Sequence, residues 1–314
     1  MDPVVALSRE LIEKGSKSFA MAAKLLPRGM REDAMMLYGW CRHCDDVIDD
    51  QVLGFAAGKS ASSPHERLDM LRYKTEQALK GEADEPVFIA LGRVAEKHGI
   101  PERHPLELLR GFEMDVEERS YETLEDTLDY CYHVAGVVGV MMAMIMGVRN
   151  TTALNRASDL GIAFQLTNIA RDVIDDAKVG RIYLPRDWLL EAGVPECDVC
   201  EPFYRHAVFQ VTRRLVHEAD VYYRSALYGM SALPLRAAAG IGTARRVYRD
   251  IGRVVLKRGA SAWDGRAIVG KRRKAAAALS GTVAALRAHT QLRVMSAPSR
   301  EGLWTMPGLG LPQV

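Results

Sequence analysis

The sequence predicts an all-α fold, one domain of helices around a central cavity, and three observations predict it. Apolar residues recur at helical spacing through most of the 314 residues. Alternating strand patterns are scarce. The breaks between periodic segments carry Gly and Pro rather than hairpin turn pairs. A chain of this length, nearly half of it apolar, can fill one large core.

Taken in order, helices are expected over 5–24, 30–53, 65–98, 102–116, 123–149, 152–177, 201–228, 231–258 and 263–289. Pro27-Arg28-Gly29 ends the first. The stretch from Gly54 to Pro64 separates the second from the third, and Gly99-Ile100-Pro101 ends the third. Gly180–Pro185 and Gly193–Pro202 interrupt the chain after the sixth. No stretch reads as an interdomain linker, and no repeat of fixed period is present. From Ser296 onward, Pro298, Pro307, Pro312 and several Gly predict a poorly ordered tail over 296–314, leaving 1–295 as the domain.

Charge and cysteine content narrow the function classes. The formal net charge is only +2, so global charge names no partner. From Arg245 to Arg300, however, fourteen Lys or Arg stand against Asp250 and Asp264 alone. A basic segment of this kind suits a membrane surface, a nucleic acid or a phosphorylated substrate, or is a solvated helix face. It lacks the aromatic interleaving of a single-strand nucleic-acid groove, so no nucleic-acid partner is expected. Arg246, Arg249 and Arg253 beside Val247, Ile251 and Val254 read instead as an amphipathic face suited to anionic lipid. The five cysteines are an odd number in a large chain, which predicts a reducing compartment rather than a disulfide framework. The longest uncharged apolar run, Val134–Val148, is shorter than the roughly 20 residues that span a bilayer. The N-terminus has neither the basic flank nor the apolar run of a signal peptide. The expectation is a cytoplasmic protein, peripheral to the inner face of a membrane.

The residues that carry chemistry lie in two acidic clusters. The first reads Asp45-Asp46-Val47-Ile48-Asp49-Asp50 and the second Asp172-Val173-Ile174-Asp175-Asp176. On a helix, Asp45 shares a face with Asp49, and Asp172 with Asp176. Gln165 and Asn168 continue the second stripe backwards at steps of three and four. Like charges four apart cost a helix a few tenths of a kcal/mol, a penalty that a hard cation removes. Mg²⁺ binds through one or two carboxylates together with substrate phosphates. Two acidic walls of the same grammar, each with an arginine close by (Arg42, Arg171), therefore point to a metal–diphosphate clamp. A single cluster would read as a solvated patch.

At these residues the chain resembles the squalene/phytoene synthase family, its phytoene-forming bacterial members most of all. The matching stretches are Ser16–Ala20, Tyr38–Gln51, Tyr130–Gly136, Leu160–Asp176, Arg181–Pro185 and Arg245–Arg249. The resemblance implies an isoprenoid synthase fold. It implies head-to-head condensation of two geranylgeranyl diphosphates, through prephytoene diphosphate, to phytoene in carotenoid biosynthesis. It implies Mg²⁺ or Mn²⁺ without NADPH, and other carotenoid enzymes as partners. By position, Asp45, Asp49, Asp172 and Asp176 match the metal-binding aspartates, with Asn168 beside them. Arg42, Arg171, Arg181 and Tyr183 match diphosphate contacts. Gln165 matches a polar residue preceding the second cluster. Ser16, Ser18 and Phe19 fall where an N-terminal helix lines the substrate site. Tyr130 and Tyr248 match cavity tyrosines, and Tyr130 is a candidate base, in competition with the departing diphosphate itself.

Rival readings stay open at this point. A squalene- or dehydrosqualene-type enzyme would use farnesyl diphosphate. Asp45-Asp46-Val47-Ile48-Asp49 also fits the signature of head-to-tail prenyltransferases, although Gln165 and Asn168 before the second cluster suit head-to-head enzymes better. A helical scaffold that had lost the chemistry should have lost carboxylates. Gly240-Ile241-Gly242-Thr243-Ala244-Arg245 lacks the third glycine of a nicotinamide fingerprint and has no strand before it. Cys41/Cys44 and Cys197/Cys200 stand too far apart in the chain for a compact zinc site. His43 and His133 read as packed residues rather than ligands.

Overall fold

A computed structural model describes residues 3–15, 17–52, 55–56, 62–265, 267, 269–292 and 297–306. The described residues are arranged as α1 (Pro3–Gly15), α2 (Lys17–Ala23), α3 (Arg28–Ile48), α4 (Pro64–Leu79), α5 (Pro86–His98), α6 (Arg103–Val116) and α7 (Leu124–Cys131). They continue with α8 (Val137–Ile145), α9 (Thr151–Lys178), α10 (Arg186–Glu191), α11 (Arg205–Gly229), α12 (Leu235–Arg258) and α13 (Lys271–Arg287). The fold is all-α. Among the described residues the one strand pairing is a two-residue antiparallel pair just after α3, with Gln51 opposite Ala56 and Val52 opposite Phe55.

Local sequence explains where the helices start. Ser63 and Thr123 form capping boxes with Glu66 and Asp126, and the Asn150 side chain accepts from the Ala153 N–H to start α9. The helix expected over 65–98 is two helices, because Gly81 takes φ +80° and Pro86 opens the next one. The helix expected over 123–149 runs as α7, a π-helical turn at Tyr132–Gly136, and α8. That 124–145 run is long and apolar enough, by length and composition, to cross a bilayer; here an 18-residue window of it is 72% buried, against α3, α5, α6 and α9.

The 28-residue α9 is the axis of the molecule, flanked by α7–α8 on one side and by α11 and α12 on the other. Its approach to α7–α8 is unusually close. A Cβ on Gly161 would collide with the Ala135 carbonyl oxygen, and a Cβ on Gly139 with that of Ala157. Two facing glycines thus let the backbones touch and fix where the next turns of α9 lie.

The C-terminal segment departs from expectation. Residues 297–306 pack onto the helices instead of standing off as a loose tail. Arg300 forks onto the wholly buried Asp159, at 2.6 and 2.9 Å. The Trp304 ring lies 5.0 Å from that of Tyr132, and its backbone N–H donates to the Tyr222 hydroxyl at 3.0 Å. A paired buried charge and an aromatic anchor outweigh the low order that Pro and Gly content suggests. Residues 307–314 of the expected tail lie outside the described residues.

Candidate active site

A cavity of about 500 Å³ runs along α9 between α3, α6, α7–α8 and α12. One end is charged, with Arg42, Asp45, Asp115, Asp172, Asp176 and Arg181 in its wall. The rest is apolar, lined by side chains such as Leu108, Val134, Val138, Met142, Leu160 and Phe164.

The two acidic clusters arrive at the charged end from different helices. Asp45 and Asp49 close α3, Asp49 being its C-terminal cap; Asp172 and Asp176 lie in the last turns of α9. Each wall carries its own arginine. Arg42 bridges Asp45 at 2.9 Å and Asp46 at 2.7 Å, and Arg171 Nε donates to Asp172 at 2.8 Å. Arg181, from the loop after α9, donates to Asp49 at 2.7 Å and so ties the first wall to the end of the second helix. Burial, opposed in part by Arg42, pushes Asp45 up to about 6, although the side chain is 41% accessible where it faces the cavity. Burial and then the neighbouring Asp172 push Asp176 up to about 7. Both groups sit where an added cation would be favoured.

The fit to a hard divalent cation can be tested on the donors themselves. All are oxygens. The Asn168 side-chain oxygen is buried without a hydrogen-bond partner, while its amide nitrogen donates to Gln165 at 3.2 Å. An orphaned buried oxygen one turn before Asp172 is costly unless something binds it. Among the described residues, no three of His, Cys, Asp and Glu converge as a ready-made metal cage. The carboxylates form two facing walls, an arrangement that suits Mg²⁺, which completes its shell with water and phosphate oxygens.

Next to the walls stands a group that sequence reasoning missed. Asp115 of α6 accepts from the Tyr130 hydroxyl at 3.0 Å and from the Tyr183 hydroxyl at 2.7 Å. The two phenol rings stack at 4.6 Å, with Tyr121 against both. Burial raises the Asp115 carboxyl, and burial together with Asp115 pushes both phenols far above their ordinary range. Tyr130 is therefore a neutral phenol whose proton points at a carboxylate, not a phenolate. The signal in the sequence was the spacing Leu108, Phe112, Asp115 on α6, one helical stripe whose three members all line the cavity.

Gln165, Asn168, Arg171, Arg181, Tyr183 and Tyr248 all line the cavity, and Tyr248 stacks on Phe164 at 4.2 Å. Asp49 does not line it, and reaches it through Arg181. Ser16 lies outside the described residues, as do the side chains of Ser18 and Phe19 in α2. His43 packs edge-on against Phe88, and His133 bonds the Asp129 carbonyl. All five cysteines are free, and burial pushes Cys41 and Cys44 well up, which leaves their thiols inert. α12 is amphipathic as expected, but its apolar side faces the core and is not free for lipid. Val247 and Ile251 are core, Arg249 is paired with Asp220, and Arg246 and Arg253 share Asp250.

The chain is 50% identical over 297 residues to a 15-cis-phytoene synthase of Enterobacter agglomerans, covering 94% of this chain and all of that one. It is 53% identical over 259 residues to a 15-cis-phytoene synthase of Pantoea ananas, covering 82% and 84%. A dehydrosqualene synthase crystal structure superposes with TM-score 0.80 at 26% identity, over 89% of this chain and 95% of that one. A squalene synthase from Alicyclobacillus acidocaldarius shares the fold, with TM-score 0.73 at 24% identity over 82% and 94%. The description squalene/phytoene synthase matches residues 12–273, the cavity and both acidic walls included, and the chain belongs to that family.

Proposed function

We propose that this chain is a phytoene synthase that condenses two geranylgeranyl diphosphates head to head, through prephytoene diphosphate, to phytoene. It is a prenyltransferase acting on a prenyl diphosphate, in isoprenoid and carotenoid biosynthesis. The observation that carries the reading is the polarity of the cavity: two acidic, arginine-bearing walls at one end and a long apolar interior behind them.

Asp45, Asp49, Asn168, Asp172 and Asp176 would hold Mg²⁺ or Mn²⁺. Bound there, the ions supply positive charge against the departing diphosphate. Arg42, Arg171 and Arg181 lie at the same end and donate to diphosphate oxygens, where charge develops as the bond to the allylic carbon breaks. The apolar walls keep water from the allylic cation. As the cyclopropane forms, the Tyr130 oxygen takes the released proton and passes its own to Asp115, 3.0 Å away. Tyr183 holds the other oxygen of that carboxylate and fixes its direction.

The test is incubation of the purified protein with Mg²⁺ and either geranylgeranyl or farnesyl diphosphate, without NADPH. Phytoene from the first supports the reading. Only a thirty-carbon product, from the second, overturns it in favour of a dehydrosqualene-type enzyme.

Peripheral membrane association is a proposal of its own, and the structure moves its support from α12 to α13. Leu279, Val283 and Leu286 share one exposed face of α13, with Arg273 and Arg287 exposed on the same helix. Flotation with anionic liposomes at low and high salt tests it; no association at low salt overturns it.

A further inference from the structure

The lining of the cavity's apolar end includes a charged residue. From Asp172 back to Arg156, sixteen residues of α9 rise about 24 Å along the cavity wall. At the far end Arg156 lines the cavity together with Met146, Val148, Ala153, Met230 and Leu233. A guanidinium is out of place in a hydrocarbon site unless it is fully paired. Arg156 is only 5% exposed, and its partners all come from beyond the cavity. One nitrogen donates to the Ser225 hydroxyl at 2.9 Å and to the Ser225 carbonyl at 3.2 Å. Another donates to the Pro298 carbonyl at 2.7 Å. The Tyr228 ring lies 5.6 Å from the guanidinium carbon. The charge is drawn outward, and the aliphatic stem lies against the backbone of Gly229, where an added Cβ would come within 2.8 Å of the Arg156 Cβ.

Pro298 is held in turn. Arg300, two residues on, forks onto Asp159, and Asp159 accepts from Ser225, which also serves Arg156. Trp304 anchors the far side of the segment on Tyr132 and Tyr222. The network runs from the C-terminal segment through Asp159 and Ser225 to Arg156 and back to Pro298.

We propose that Arg156, clamped by residues 297–306, is the floor of the prenyl site and sets the longest prenyl diphosphate the enzyme accepts. This rests on the reading that a prenyl chain lies in this cavity. A rigid floor needs a side chain with one position, and the paired guanidinium provides it. Removing the side chain adds room for further hydrocarbon at the end remote from the diphosphate. Asp159 keeps Arg300 and Ser225 in that case, so the buried carboxylate is not orphaned.

The experiment compares the full-length wild type, Arg156→Ala, Arg156→Met and Trp304→Ala, each with Mg²⁺. The donors are prenyl diphosphates of fifteen, twenty and twenty-five carbons. Arg156→Ala should raise kcat/KM for the twenty-five-carbon donor relative to the twenty-carbon donor by about tenfold or more, the scale on which a pocket senses a few carbons. Arg156→Met, which keeps the stem, should shift the ratio less than Arg156→Ala. Trp304→Ala, which loosens the clamp and leaves both charges paired, should shift it in the same direction, and it decides the matter should Arg156→Ala not fold. A wild type active on the twenty-carbon donor, with folded variants of unchanged length preference, overturns the floor assignment alone. A wild type inactive on every prenyl diphosphate overturns the proposed function, and the floor assignment with it.

Discussion

Asp115→Asn is the perturbation that most directly separates a positioned proton acceptor from a structural carboxylate. The carboxylate accepts two phenolic hydrogen bonds, one per oxygen. Asparagine keeps one acceptor, so one hydroxyl loses its partner. A hydrogen bond to a charged group contributes about 1.5–3 kcal/mol. Against that, burial raises the Asp115 carboxyl, so removing the charge recovers part of its desolvation cost. A net loss of about 1–2 kcal/mol follows, or roughly 2–8 °C in Tm for a chain of this size. Activity should fall further than stability. An amide cannot take the proton from Tyr130, and a positioned acid–base group contributes about 10²–10⁴-fold. Calorimetry gives Tm, and single-turnover conversion of geranylgeranyl diphosphate gives the rate. A rate within threefold of wild type, at temperatures where the variant is folded, would refute the proton-acceptor role. An unchanged Tm as well would refute the hydrogen-bond reasoning.

Asp49→Asn and Asp172→Asn should each reduce turnover by about a hundredfold or more while leaving helicity at the wild-type level, because they remove carboxylates that would hold the cations facing the departing diphosphate; full activity in both would refute the metal-clamp assignment. Chelation should abolish turnover, and Mg²⁺ or Mn²⁺ should restore it, read by product formation before and after re-addition. Gly161→Ala drives a Cβ into the Ala135 carbonyl and should cost about 1–3 kcal/mol, seen as a lower Tm. Gly29→Ala, in the first turn of α3 with nothing within 4 Å of the new Cβ, should be neutral or stabilising by up to about 1 kcal/mol.

The parts of the site legible in the sequence are those that one helix carries by itself. Asp45 with Asp49, and Asp172 with Asn168 and Gln165, obey the helical step, and Arg42 and Arg171 stand within the same turns as their carboxylates. Arg181 and Tyr183 were found by resemblance alone. They come from an irregular loop, where no periodicity says which way a side chain points. The breaks followed the same logic: Pro27 and Gly99 mark their helix ends, whereas Gly81 was hidden inside a pattern that stayed in phase on both sides of it.

What the sequence concealed is pairing across distance. Asp115 sits among Glu113, Glu117 and Glu118, which reads as a solvated acidic face; only the packing of α6 against α7 and the loop after α9 brings two phenol donors onto that half-buried carboxylate, while Glu117 and Glu118 stay exposed. Arg249 reads as part of an unpaired cationic face because its partner, Asp220, stands on another helix and carries no local sign of the pairing. Arg300 and Asp159 are 141 residues apart and lie in segments of opposite expectation, a disordered tail and a core helix. In each case the amino-acid type was visible and its environment was not. Burial turns a common surface residue into a proton acceptor, a structural ion pair or a cavity floor, and burial is a property of the assembled helices rather than of any one of them.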